Sequence, residues 1–162
     1  IAQGWRSKFG LDDTPYTPIM EMMEKVLDNR LNCFTLIPMD ATEMGPAEGY
    51  TEPDGKFIWL REDVYCGAWA GEGRHRFTAA HELSHWAIHT NIPLARAMPN
   101  QKLPAYRLSE PQANQFAGEL LMPAKFFTRF DCEHDVMDRH GVSYQAASNR
   151  LDYLRRKGKI VG

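Results

Sequence analysis

Residues 74–89 read RHRFTAAHELSHWAIH, with no glycine or proline inside and with Gly71, Gly73, Asn91 and Pro93 on either side. Start and stop signals flank the stretch and nothing within it interrupts a hydrogen-bond ladder, so it predicts a helix. Phe77, Ala80, His81, Ser84 and Ile88 recur at helical spacing and mark its buried stripe. Within it His81, Glu82, Leu83, Ser84 and His85 form the pattern HExxH. Four residues make about one helical turn, so both imidazoles project from one face, with Cβ atoms about 5–6 Å apart, and can reach one metal ion. Glu82 stands on the flank of that face, where its carboxylate can touch a metal-bound water rather than the metal. An imidazole pair on a buried face needs partners to offset its desolvation, and a metal supplies them. The pattern predicts a two-histidine zinc site with its own general base.

A hydrolytic zinc takes three protein ligands and keeps one position open. The third ligand is not the last histidine of an HExxHxxGxxH motif, because this chain has Ile88 and Asn91 at the deciding positions. His89 lies about 12 Å of helical rise beyond His81, too far to share an ion, and reads as a polar histidine facing the helix C-terminal dipole. Downstream, SEPQANQFAGELLMP predicts a second helix from Ser109 to Met122, with Ser109 as N-cap, Gln112 completing a capping box and Pro123 as the stop. Ala113, Phe116, Ala117, Leu120 and Leu121 define its packed face. On a helical wheel Glu110 lies about 50° from the centre of that face and Glu119 about 130° away. Glu110 therefore points inward and is the candidate third ligand, with Asn114 one turn later placed to orient it.

Working outward, Thr17 and Pro18 start an amphipathic helix over 18–30 whose stripe is Ile19, Met22, Met23, Val26 and Leu27. Cys33 to Ile37, stopped by Pro38, and Phe57 to Leu60, after a Pro53–Asp54–Gly55 turn, read as short strands of a small sheet. The second is either an edge able to pair with an extended peptide or a fully paired core strand. After Pro123 come a brief helix, a helix near 133–139, a turn at Gly141 and a last helix capped by Ser143. Helices outnumber strands, and the fold class is α+β: mainly helical, with a small mixed or antiparallel sheet packed on the HExxH helix.

At 162 residues the chain predicts one domain over 1–162, with a core at about 16–130 and a C-terminal helical segment at about 131–162. Hydrophobic residues at 43% and charged residues at 25% exclude disordered and collagen-like classes. Nineteen basic against 21 acidic side chains, net −2, argue against a chain that binds polyanions over its whole surface. Cys33, Cys66 and Cys132 have no paired spacing, which fits neither a disulfide framework nor a four-thiolate zinc site and points to a reducing compartment. No apolar run reaches the roughly 18 residues of a membrane span, and IAQGWRSKFG lacks the apolar stretch of a secretory signal. No membrane association is expected.

RFTAAHELSHWAIH, the downstream EPQANQFAGELLMP and the closing GVSYQAASNRLDYL together resemble the ImmA/IrrE family of small zinc metallopeptidases, over about residues 74–154; residues 1–70 match only in outline. Ser84, where family members often have glycine, and Trp86 depart from the pattern without touching a ligand position. The resemblance implies a zincin-like fold, His81, His85 and Glu110 as ligands of one Zn2+ per chain, and Glu82 as the general base toward a zinc-activated water. It implies a zinc endopeptidase that hydrolyses a peptide bond in a specific protein partner, a helix-turn-helix repressor, with transcription released as the result. The implied setting is the cytoplasm of a bacterium, with the gene bacterial or carried by a prophage or other mobile element.

Tyr106, Arg107, His75 and Arg74 are candidate oxyanion donors near these elements. Two imidazoles and a carboxylate also accept manganese or iron. The alternative from another class is a non-cleaving regulatory module that binds a repressor or DNA through its C-terminal helices. Residues 132–157 read as helix, Gly141 turn, helix, with Arg150, Arg155, Arg156, Lys157 and Lys159 gathered at the end. Basic helix C-termini are favoured by the macrodipole in any case, and direct nucleic-acid binding is not expected. A structural zinc closed by Cys66 as fourth ligand is the third possibility.

Overall fold

The computed structural model describes residues 1–90 and 105–160, with side chains over 1–90 and 109–160. Its elements are α1 (Ala2–Lys8), a π-helix (Glu21–Asp28), β1 (Thr35–Met39), α2 (Ala41–Met44), β2 (Gly49–Thr51), β3 (Phe57–Arg61), α3 (Glu62–Trp69), α4 (Gly73–His89), α5 (Ala105–Leu121), a 3₁₀ turn (Ala124–Phe126), α6 (Glu133–His140) and α7 (Tyr144–Arg156). This is the expected α+β class. The three strands lie in the order β1-β3-β2, with β1 parallel and β2 antiparallel to β3, so the sheet is mixed.

β3 is the central strand, with Ile58 and Leu60 fully buried, which decides the open question about this segment: it is a paired core strand. The strand edge facing outward on that side is β2. β1 continues through Pro38, where the sequence reading ends it at Ile37. Proline lacks an N–H, but β1 sits at the other edge of the sheet, where one ladder donor is dispensable.

The helix expected over 18–30 forms with π-type bonds in its centre, Asn29 N–H donating to Glu24 O at 2.9 Å and Leu31 N–H to Val26 O at 2.8 Å. The wider turn brings positions four and five apart into line. Ile19, Met23 and Leu27 share that line with Met22, and all four are buried while Val26 is only half so.

α4 is the centre of the molecule, packed against α3, β2 and β3 on one side and α5 on the other. Ala79, Ala80 and Leu83 of α4 and Ala113, Ala117, Leu120 and Leu121 of α5 are fully buried. Each large aliphatic side chain so buried contributes about 1.5–3 kcal/mol of transfer free energy. The alanines let the two helices approach closely. The buried arc differs from the expected stripe: Arg76, Ala79 and Glu82 join it, while Phe77, His81 and Ile88 are half-buried. Packing on two sides widens the arc, and the histidine face opens onto a cleft instead of core. Ser84 is fully buried and donates to Ala80 O at 2.6 Å inside its own helix. Trp86 stacks edge-on against Trp5 and Phe34 and donates to Gly55 O at 3.0 Å, which fixes the second half of α4 against α1 and the sheet.

α5 begins at Ala105, four residues before the expected N-cap, and carries Pro111 in its interior. Ser109 therefore lies inside the helix and is not its N-cap. A proline among the first turns of a helix looks like a start signal because its missing N–H is harmless there, and here that signal lies inside the helix. Ser109 is buried within it.

The C-terminal segment is fixed by its turn. Gly141 closes α6 in the left-handed region at φ 63°, and the Ser143 hydroxyl accepts from Ala146 N–H to cap α7, as expected. Gly73, at the start of α4, meets the backbone of Val142 and Ser143 where a side chain would stand, so α4 is seated directly on this turn. Three buried arginines stitch helix ends whose carbonyls lack helical partners. Arg6 donates to Leu120 O at 2.9 Å, Arg150 to Met122 O at 3.0 Å and Arg76 to His140 O at 2.9 Å.

His140 is fully buried, stacked on Phe127, with Nδ1 2.9 Å from Pro15 O. Burial pushes its imidazole down to about 4 from an ordinary 6.5. The folded chain therefore refuses a proton that the unfolded chain accepts between those values. The resulting stability is complete above pH 6.5 and is lost as pH falls toward 4, on the order of 3 kcal/mol in all. Urea unfolding at pH 7.5 and 4.5 is expected to show this loss in the wild type and to show it flattened in His140→Asn; equal losses in both would assign it elsewhere.

Candidate metal centre

The close α4–α5 contact sets the site. His81 and His85, one turn apart on α4, have their Nε2 atoms 3.0 Å apart. Glu110 reaches across from α5, Oε2 lying 3.1 Å from His81 Nε2 and Oε1 3.0 Å from His85 Nε2. These three are the group of metal-capable side chains found among the described residues. Glu110 is not tucked inward as the helical wheel suggested: its side chain is 57% exposed, against 17% and 18% for the histidines. It stands over the mouth of the cleft and turns down onto the imidazoles.

The donor set fits a zinc ion. Ligand atoms of tetrahedral zinc, each about 2.0–2.1 Å from the metal, lie roughly 3.3 Å apart; here the two Nε2 atoms are 3.0 Å apart, and each faces one oxygen of Glu110, His81 at 3.1 Å from Oε2 and His85 at 3.0 Å from Oε1. The far side of the His81 ring is also occupied as a metal ligand requires, Nδ1 lying 2.9 Å from Asn114 Oδ1. An amide oxygen only accepts, so Nδ1 carries the hydrogen and Nε2 presents its lone pair. Asn114 was expected to orient Glu110; it orients His81 instead, because one turn along α5 faces α4 and not back toward its own helix. Burial, then the neighbouring His81, hold the His85 imidazole below its ordinary range, which keeps it in the neutral form that a metal needs.

Glu82 is the most buried member of the site, 7% exposed. Burial pushes its carboxyl above the usual range, while the Thr51 hydroxyl and His81 pull it down and Glu110 pushes it up. Thr51 Oγ1 lies 2.7 Å from Glu82 Oε2 and 2.9 Å from Glu82 O, so β2 grips the carboxylate at one oxygen. Gly49 makes room for it: a Cβ there would stand 2.6 Å from Glu82 Cγ and 2.9 Å from Oε1. Gly49→Ala is expected to displace the carboxylate by a good fraction of an ångström and cut turnover on the order of 10²-fold at unchanged zinc content. Wild-type turnover in that variant would show that Glu82 does not need this seat.

The site opens into a cleft of about 440 Å³, walled by Gly49, Tyr50 and Thr51 of β2, by the two histidines and Glu82, and by Glu110. His89, read from the sequence as a polar histidine facing the helix C-terminal dipole, lies on the same wall. Its Nδ1 is 3.1 Å from His85 Nδ1 and its Nε2 3.0 Å from Gln112 Oε1. The i, i+4 interval from His85 to His89 was the signal for it. Thr51 and Gly49 had none, since a three-residue strand shows no alternation to read.

Of the oxyanion candidates, Tyr106 and Arg107 have side chains outside the described residues. His75 pairs with Glu72 at 2.9 Å, and Arg74, 74% exposed, pairs with Glu48; neither lines the cleft. Cys66 is exposed on α3 and is not part of the metal-capable group, so a site closed by its thiolate is not what this fold builds.

In comparison with known families, the Peptidase_M78 model, described as the IrrE N-terminal-like domain, matches residues 29–152. That span runs from the end of the π-helix into α7 and contains every residue of the centre. Among curated proteins and among solved structures, nothing matches.

Proposed function

The chain belongs to the IrrE N-terminal-like family of metallopeptidase type, and we propose that it is a zinc-dependent endopeptidase that cuts one peptide bond in a specific protein partner, a DNA-binding repressor. The observation that carries the reading is the convergence of His81, His85 and Glu110 on one point, beside a glutamate that β2 holds from behind. Such a set is built for hydrolysis, with three ligands and a fourth side left to the cleft.

Held by His81, His85 and Glu110, a zinc ion would supply acidification of water toward a pKa near 7 and polarisation of a carbonyl. The rest is done by the chain. Thr51 occupies Oε2 of Glu82, which leaves Oε1 to accept a proton from the attacking water and return it to the leaving amine nitrogen. The raised affinity of the buried carboxyl for that proton suits it to carry the proton between the two steps. β2 is paired on one side to β3, and its other side runs along the cleft. An extended segment of substrate can add there as a further strand, with Tyr50, 52% exposed, beside it.

The repressor as partner rests on the family likeness. The non-cleaving alternative has less support from the C-terminal helices. Arg150 is 6% exposed and spent on Met122 O, and Arg155 donates to Asp131 O at 3.1 Å. Among the described residues no helix is long and apolar enough to cross a membrane.

Mapping of new protein N-termini in bacterial cells that express either the wild type or Glu82→Gln tests the proposal. Termini confined to one or a few DNA-binding proteins, and present only with the wild type, are the expected result. Identical sets from the two strains, with a partner retained by both proteins, would favour sequestration.

A further inference from the structure

The geometry points to His89 and Gln112 as positioning residues that lock the tautomer of the metal ligand His85, an inference that rests on the zinc reading above. Each link of the argument is a donor matched to an acceptor. The Gln112 side-chain oxygen accepts and cannot donate, so His89 Nε2, 3.0 Å away, carries the hydrogen. A neutral imidazole with its hydrogen on Nε2 has a bare Nδ1. That bare nitrogen faces His85 Nδ1 at 3.1 Å, and two ring nitrogens at such a distance need one hydrogen between them, so it is on His85 Nδ1. His85 Nε2 is thereby left with its lone pair, aimed at the point shared with His81 and Glu110.

The reverse polarity would defeat the site. If His89 gave its hydrogen to His85 Nδ1, the hydrogen of His85 would sit on Nε2, where the ion belongs. The direction is set by Gln112, just as Asn114 sets it for His81 through a direct bond. Both amides come from α5, the helix that also supplies Glu110. One helix thus provides the third ligand and fixes the tautomers of the other two, Asn114 by contact and Gln112 through one intervening imidazole. The intermediate is required by reach: Gln112 meets His89 at the end of α4, and His89 carries the constraint one turn back to His85.

This role differs from that of a histidine placed to face a helix dipole, which needs no partner on either nitrogen. Here both nitrogens of His89 are engaged, and with both rings neutral only one order of hydrogens satisfies the chain.

The test is zinc affinity, by competition with a chromophoric chelator, for the full chain and for His89→Leu, His89→Asn and Gln112→Met. Leucine removes the acceptor, and a loss of about 10–100-fold in affinity is expected, the usual effect of removing a partner behind a ligating histidine. Asparagine puts a carbonyl oxygen near the place of Nδ1 and is expected to restore most of the loss. Gln112→Met leaves His89 in place without its director and is expected to weaken zinc in the same direction; it carries the test alone should the leucine variant not fold. Nitrogen-15 NMR of the zinc-loaded wild type adds a direct reading, with the hydrogen of His89 on Nε2. Unchanged affinity in both His89→Leu and Gln112→Met, or a hydrogen found on His89 Nδ1, overturns the inference while leaving the zinc site standing. A wild-type chain that takes up no zinc overturns the underlying reading, and this one with it.

Discussion

Glu82→Gln is expected to lower turnover by about 10²–10⁴-fold, the range associated with a positioned general base, with zinc content at the wild-type level. The substitution is nearly isosteric, so the Thr51 hydroxyl at 2.7 Å from Oε2 and the open space at Gly49 serve the amide as well as the acid. What is lost is the ability to take a proton at Oε1. Burial of this side chain also favours the neutral form, and a neutral amide carries no desolvation penalty for charge. The fold is therefore expected to tolerate the change, and thermal unfolding run beside the assay checks that. Loss of zinc together with activity would make Glu82 a ligand. Retention of the biological effect in full would move the protein to the sequestering class.

Zinc-linked stability is the second large effect. A ligand that binds only the folded chain stabilises it by about 4 kcal/mol at a free concentration 1,000 times its Kd. For a chain of this size that corresponds to a rise of about 8–16 °C in Tm. Glu110→Ala is expected to lose most of this rise, because it removes the one ligand contributed by α5 and with it the metal's cross-link between α4 and α5. The Tm of the variant without zinc is expected to stay near that of the wild type without zinc, since the Glu110 side chain is 57% exposed and takes little part in packing. A zinc-induced rise of equal size in both proteins would mean that the stabilising ion sits elsewhere.

The helix that carries the histidines was legible because its signals are local: an uninterrupted run, flanking glycines and proline, and two histidines four apart. The third ligand was legible one level up, from the phase of Glu110 against the apolar face of its helix, although the same phase argument misjudged its burial. Phase says which side a residue is on, and the close approach of two alanine-rich surfaces decides how far it must reach. The start of α5 was misread because Ser109 and Gln112 have the spacing of a capping box, and in this fold they lie within the helix, as does Pro111. Gln112, read as half of a cap, instead bonds His89.

What holds the general base was the least legible part. Gly49 and Thr51 lie on a strand of three residues, a length at which the period of a strand cannot be seen, and their importance comes wholly from pairing with β3 and leaning on α4. Asn114 was identified as a supporting residue but assigned to the wrong ligand. Sequence spacing names its neighbours on the same helix, whereas its partner is on another. Charge behaved likewise. Arg150, counted as surface charge in the sequence, is buried and spent on a backbone carbonyl inside the fold, and Arg155, though exposed, donates to Asp131 O.

The central claim is that His81, His85 and Glu110 hold one zinc ion, and elemental analysis of the purified chain beside the double variant His81→Ala/Glu110→Ala tests it most directly. About one zinc per chain in the wild type, lost in the double variant, is the predicted result. No zinc in the wild type after incubation with the metal, or full zinc retained by the double variant, would contradict it.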